Sequence, residues 1–253
     1  MELFYRQLGE SGAPIIILHG LFGSSDNWLS IGKKLAENHK VYLVDQRNHG
    51  QSDNEEGLSY DLMAEDLKEF IEEHSLHEAI VIGHSMGGKV AMFFACENPT
   101  LLSKLVVVDI GPRYYKVHHR EILDALKSLD LNQIKSRKEA EDKLSEKIDD
   151  LMLRAFLLKN LYWETPEKLG WRINLPVIDK NIEEVGKALP ENLSFEKETL
   201  FIYGKQSGYV CEEDKEAILE HFPFAQFEVV KNAGHWVHAE QPEEFLKILQ
   251  EFL

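Results

Sequence analysis

Five short apolar stretches constrain this chain more than any other feature: PIIILHG (14–20), KVYLVDQ (40–46), EAIVIGH (78–84), KLVVVDI (104–110) and ETLFIYG (198–204). Each is rich in β-branched residues and nearly free of polar alternation. A strand with one wet face alternates; a strand covered on both faces does not, and strands of parallel sheets read this way. QFEVVKN (226–232) fits a sixth strand, and the opening ELFYRQL an antiparallel edge strand. Helical patterns fall between them at 30–37, 59–75, 87–97, 211–221 and 241–253, the last opening on Pro242 and two glutamates. The alternation predicts an α/β fold: a mostly parallel central sheet with helices on both faces.

From about Gly111 to Lys197 the rhythm stops. The segment holds charged helical patterns such as SRKEAEDKLSEKIDDLMLRAFLLKNL and no sheet strand. It is too long for a loop without structure of its own. The expectation is a helical insertion at 111–197 lying over the sheet, with 1–110 and 198–253 forming the core. A chain of 253 residues suits one large domain carrying such an insertion.

The net charge of −16 argues against nucleic acid and anionic membrane surfaces as partners. No apolar run approaches the roughly 20 residues that cross a bilayer. MELFYRQLGE lacks the basic-then-apolar order of a secretory signal. Cys96 and Cys211 stand far apart in no metal-like spacing, so they read as reduced thiols. The expected location is the cytoplasm, and no metal site is expected.

Chemistry enters at VIGHSMGGKVAMFFA (81–95). Gly83-His84-Ser85-Met86-Gly87 fits G-x-S-x-G between an apolar strand and an amphipathic helix. Glycines let the backbone pass through a sharp strand-to-helix turn. That turn projects the Ser85 hydroxyl at a helix N-terminus, where developing negative charge is favoured. Ser85 is the expected nucleophile. LHGLFGSSDNW (18–28) can aim backbone N–H groups into the same cleft, so the expected oxyanion donors are the N–H groups of Met86 and Leu21, with Phe22 the alternative to Leu21. His19 reads as structural, as does His84. Among eleven histidines, His235 in NAGHWVHAEQPEEF lies after the last strand and before the last helix, where a loop reaches the carboxyl edge of the sheet. It is the expected base, and His238 is expected to begin the final helix.

The ordered set HGLFG, DQRNHGQSD (45–53), GHSMGG (83–88) and NAGHW (232–236) resembles the α/β-hydrolase superfamily from end to end. HGLFGSSDNW, DQRNHGQS and VVDIGP bring it closest to the YbfF-type esterases. The resemblance implies an acyl-ester hydrolase with a Ser-His-acid triad, no cofactor, and a helical cap, here 111–197. One feature departs from it. Many members carry the acid in a G-x-x-D turn after the cap, and here YGKQSGYV (203–210) offers Ser207 instead. A hydroxyl can bond an imidazole but cannot neutralise an imidazolium. Glu212, Glu213 and Asp214 read as acids opening a helix. The remaining candidate is Asp109, at the end of the strand that follows the nucleophile's helix, and the YbfF-type branch resembles this arrangement. Ser207 is left as an accessory partner.

The expected reaction is hydrolysis of acyl esters or thioesters through an acyl-enzyme, on a small-molecule acyl substrate. Phe22, Phe156, Tyr162, Trp163 and Trp236 are candidate substrate contacts. Asp45 and Arg47 read as a structural turn. RYYKVHHR (113–120) reads either as a solvated connector or as a basic patch drawing anionic acyl substrates. Carbon–carbon bond hydrolysis or elimination on the same triad, or a silent ligand-binding member, stay open at this point.

Overall fold

The apolar stretches become strands of a single sheet. The computed structural model describes residues 1–253. In chain order the strands are β1 (Tyr5–Leu8), β2 (Pro14–Leu18), β3 (Lys40–Val44), β4 (Ala79–His84), β5 (Leu102–Val108), β6 (Leu161–Thr165), β7 (Lys168–Trp171), β8 (Thr199–Gly204) and β9 (Ala225–Val230). Seven of them lie in the order β1-β3-β2-β4-β5-β8-β9. Only β1, at the edge, runs antiparallel to its neighbour.

The helices are α1 (Leu29–Leu35), α2 (Tyr60–Glu73), α3 (Met86–Glu97), α4 (Arg120–Lys127), α5 (Arg137–Ser145), α6 (Leu151–Leu158), α7 (Leu175–Lys180), α8 (Asp214–His221), α9 (Val237–Glu240) and α10 (Pro242–Phe252). Their starts follow local rules: Ser59 caps α2 by accepting from the Leu62 N–H, and Asp150 caps α6 by accepting from Met152 and Leu153.

The missing polar alternation has a direct cause. Ile15 and Ile17 pack on one face of the sheet, Ile16 and Leu18 on the other; Val41 and Leu43 oppose Tyr42 and Val44 in the same way. One face is covered by α1, α9 and α10 through Ile31, Leu35, Val237, Phe245 and Leu249. The other is covered by α2, α3 and α8 through Leu67, Phe70, Val90, Phe94 and Ile218. Both faces exclude water, so both need apolar side chains. No helix is long and apolar enough to cross a membrane.

The chain between β5 and β8 carries α4 to α7, and its buried Leu123, Leu126, Leu144, Leu157 and Ile178 join the α2–α3 side of the core. The expectation of helices alone there fails at one place. Leu161–Thr165 and Lys168–Trp171 form an antiparallel hairpin, so Tyr162 and Trp163 lie on a strand. α6 has already ended at Leu158, Tyr162, Trp163 and Thr165 are β-prone, and Pro166 sits in the turn between the two strands. Both ends of this segment are tied to the helix after Ser85. The buried Lys89 Nζ donates to the carbonyls of Pro112 (3.0 Å), Arg113 (2.6 Å) and Lys187 (2.9 Å). Burial, with Arg113 nearby, pushes the Lys89 ammonium down to about 7.

Candidate active site

Ser85 follows β4 and holds the position just before α3 with φ 53° and ψ −117°, a conformation that a β-carbon disfavours. The turn is possible because of its glycines. A Cβ on Gly83 would lie 2.2 Å from the Gly87 carbonyl oxygen, and one on Gly87 would lie 2.5 Å from that of Leu18. The Ser85 N–H donates to Val108 at the end of β5 (3.0 Å), which fixes the turn against the neighbouring strand.

Asp109 follows β5 directly and is also left-handed, with φ 52°. Its buried carboxylate is surrounded by donors. Oδ1 accepts the Gly204 N–H (3.0 Å); Oδ2 accepts the Ser207 hydroxyl (2.5 Å) and meets His235 Nδ1 at 2.6 Å. Nδ1 must therefore carry the proton, which leaves Nε2 of His235 free to accept one. The Ser207 hydroxyl also accepts the Tyr209 N–H (3.3 Å). Glu212, itself exposed, instead bonds Lys215, and Glu213 lies at the head of α8.

The His235 backbone is held from three directions. Glu240 takes the N–H of Gly234 (2.8 Å) with one oxygen and that of Trp236 (3.1 Å) with the other. His84 Nε2 donates to the His235 carbonyl (2.8 Å). His84 is buried, and burial with His235 and His238 nearby holds it neutral. His238 sits on the short helix α9, ahead of the final helix, with its ring stacked on Trp28 at 3.9 Å. Glu240 carries no sequence signal that separates it from ordinary helix-flanking acids.

The two proposed oxyanion donors differ from Phe22. The Phe22 N–H is taken by His49 Nε2 (3.2 Å), whereas neither the Leu21 nor the Met86 N–H donates to a protein acceptor. His19 accepts the Gln46 N–H (3.0 Å) and faces the Gly20 carbonyl, and burial pulls it down to about 4. Asp45 accepts the N–H groups of Ser25 and Gln51, and Arg47 pairs with buried Asp66. Both serve the loop, not the cleft.

The model of the alpha/beta hydrolase fold family matches residues 13–242. The chain belongs to that family. It is 38% identical over 249 residues to the sn-1-specific diacylglycerol lipase ABHD11 of Danio rerio, covering 95% of this chain and 78% of that one. It is 35% identical to Esterase YbfF of Escherichia coli K12, covering 96% and 94%. Among solved structures, a marine microorganism esterase superposes with a TM-score of 0.97 at 45% identity, covering 100% of this chain and 99% of that one.

In this α/β hydrolase the cleft at Ser85 has an empty volume of about 370 Å³. Leu21, Tyr60, Met86, Ile110, Val185 and Tyr209 line it, with Tyr115 to His119 from the segment that leaves β5. A roomier depression between α1 and α10, at Lys34, Asn38, His39 and Gln250, holds no nucleophile and is not the site. Of the candidate substrate contacts, none lines the Ser85 cleft itself. Trp236 lies 6.0 Å from the His235 ring and 5.7 Å from Phe156, and Phe22 lies 6.3 Å from His119, so these three flank it. Tyr162 lies under Arg172, and Trp163 is exposed. The basic stretch 113–120 does border the cleft, but its charge is largely spent locally: Arg113 pairs with Asp214, and Arg120 with Asp179 and Glu183.

Proposed function

We propose that this carboxylic ester hydrolase cleaves small acyl esters and thioesters through Ser85, His235 and Asp109, by way of an acyl-enzyme. The observation that carries the reading is the Asp109 carboxylate, buried, left-handed and bonded to His235 Nδ1 at 2.6 Å. Ser85 Oγ attacks the acyl carbonyl and His235 Nε2 takes its proton. The oxyanion is met by the free N–H groups of Met86 and Leu21, the former reinforced by the α3 dipole. His235 returns the proton to the leaving alcohol or thiol, and water repeats the cycle on the acyl-enzyme. Asp109 holds the imidazole in the accepting tautomer and balances its charge; Ser207 assists by bonding the same oxygen. No cofactor takes part. The segment 111–197 serves as the cap, its first stretch (115–119) forming one wall of the cleft, and Phe22, Phe156 and Trp236 are the nearest candidates for contact with larger substrates. Two reduced cysteines and a strongly acidic surface suit a cytoplasmic enzyme acting on small molecules.

A fluorophosphonate probe tests the reaction class, because its adduct mimics the tetrahedral acyl-transfer state. Intact mass should show one adduct on the wild type and none on Ser85→Ala, and an aryl acetate should be hydrolysed only by the former. Equal labelling of both proteins would sink the reading. A panel of esters and thioesters of graded chain length then sets the acyl preference.

A further inference from the structure

The proposed base has two close ring neighbours, and one of them reaches the cap. The Tyr209 ring stacks on the His235 imidazole at 4.2 Å between centroids and 22° between planes. His84 lies against the imidazole at 4.7 Å, tilted by 42°. The Tyr209 hydroxyl meets His118 Nε2 at 3.1 Å, and His118 Nδ1 faces the Lys116 carbonyl at 3.4 Å. A ring nitrogen facing a carbonyl carries the proton, so Nε2 is the acceptor and the Tyr209 hydroxyl the donor. The Tyr209 carbonyl accepts the Tyr115 hydroxyl (2.6 Å), which in turn accepts the Gly111 N–H (2.8 Å). Every polar group of Tyr209 is thus engaged, either with Ser207 beside Asp109 or with the chain entering the cap.

We propose that Tyr209 is a positioning residue of this hydrolase, steadying the His235 ring most strongly when it is protonated and tying it through His118 to the chain that enters the cap. The inference rests on the triad reading above. An imidazolium forms transiently at His235 in each half of the reaction, and the face of an aromatic ring attracts a cation. Burial pushes the Tyr209 phenol up to about 12, so it remains a donor throughout the working range. The other titratable groups facing His235 are Asp109 from the end of β5, His84 from β4, His238 from α9 and His119 beside His118. Burial holds His84, His119 and His238 neutral near pH 7, so the only fixed charge they leave beside the ring is that of Asp109. Tyr209 has no sequence signature; it appears as one more aromatic in a turn.

The test compares Tyr209→Leu, Tyr209→Phe, His118→Ala and the double variant Tyr209→Phe/His118→Ala, reading kcat, KM and the pH profile of kcat/KM. Removing the ring should lower kcat about threefold to tenfold and move the acid limb of the profile down by roughly half a pH unit. Tyr209→Phe keeps the stack, so its acid limb should stay in place while kcat falls by about threefold or less. Because Tyr209→Phe and His118→Ala break the same bond, the double variant should be no slower than the slower single. A Tyr209→Leu protein with an unmoved acid limb would overturn the role at His235, whatever its melting temperature. Independent, multiplying effects of Tyr209→Phe and His118→Ala would overturn the link to the cap. A wild type that hydrolyses nothing removes the proposed function together with this inference; an active wild type with unresponsive Tyr209 variants removes only the inference.

Discussion

The carboxyl edge of the sheet and the segment 111–197 are held by different chemistry. At the edge, buried and half-buried polar side chains bond one another and the backbone: Asp109 with His235, Ser207 and Gly204; His49 with the Phe22 N–H; Glu240 with two amides beside His235. Within the segment, charges pair in water. Arg120 and Lys127 meet Asp179, and Lys138 meets Asp142. Removing one partner of a buried bond leaves the other unsatisfied in a low dielectric. Removing one partner of an exposed ion pair leaves the other to water. Single changes should therefore be severe at the edge and mild in the segment, and four substitutions probe that contrast.

The largest effect belongs to Asp109→Asn. The side chain keeps its size and can still accept the Gly204 N–H, so the fold should survive. An amide cannot hold His235 in the accepting tautomer or balance an imidazolium. kcat for an aryl acetate should drop by up to about 10⁴-fold with little change in melting temperature. Near-native turnover in Asp109→Asn, with Glu212→Gln/Glu213→Gln inactive, would move the acid to the far side of β8 and break the comparison at its centre.

The two regions also differ in how much of them the sequence displays. The sheet is legible because both faces are buried: each strand is an uninterrupted apolar run, and Gly83-His84-Ser85-Met86-Gly87 sits where one run meets a helix. Position along such a chain nearly determines position in space, so Ser85, Asp109 and His235 could be placed at the carboxyl edge from the strand ends together with the G-x-S-x-G turn and the family resemblance. The segment 111–197 has no such lattice. Its hairpin at 161–171 was hidden because a short aromatic stretch after α6 continues the helix pattern until Pro166. Glu240, Tyr209 and Lys89 were invisible for another reason. They act by contacting backbone or rings brought close only by the fold, and nothing next to them in sequence marks that partner.

A second probe uses pH. His238 is buried, and burial, with His235 nearby, pulls it down from 6.5 to about 3; His19 and His49 are depressed to about 4 and about 3. The unfolded chain takes up these protons below pH 6.5 and the folded one does not. Stability present above pH 6.5 is therefore lost progressively as pH falls toward 3 to 4. At pH 4.5 each such histidine should cost roughly 2–3 kcal/mol relative to pH 7.5. His238→Phe can keep the stack on Trp28 and has nothing to protonate. Its melting temperature should fall about 5–9 °C less than that of the wild type between pH 7.5 and 4.5, a window above most carboxylate titration. Parallel curves for the two proteins would show that buried neutral histidines do not dominate the edge.

Ser207→Ala is the milder test at the edge. It removes one neutral hydroxyl from Asp109 Oδ2 and leaves the His235 bond and the Gly204 N–H in place. The expected fall in kcat is about tenfold or less, with KM little changed. A loss as large as that of Asp109→Asn would mean that the hydroxyl and the carboxylate act as one unit.

The smallest effect should come from the segment itself. Asp179 sits on α7 and receives Arg120 and Lys127 from α4 at 3.0 and 2.8 Å, so it ties the two helices together at the segment's surface. Those cations hold its carboxyl below the usual range, the Lys127 bond first. All three side chains remain in contact with water, and Arg120 and Lys127 each keep a second acid, Glu183 and Asp124. Losing Asp179 therefore strands nobody. Asp179→Ala should lower the melting temperature by under about 3 °C, and the difference should shrink in 0.5 M salt, where charges are screened within about 4 Å. Aryl acetate turnover should stay within about twofold of the wild type. A drop of 8 °C or more that persists in high salt would place a cooperative, structurally essential network in the segment, and the contrast with the sheet edge would then be one of burial alone.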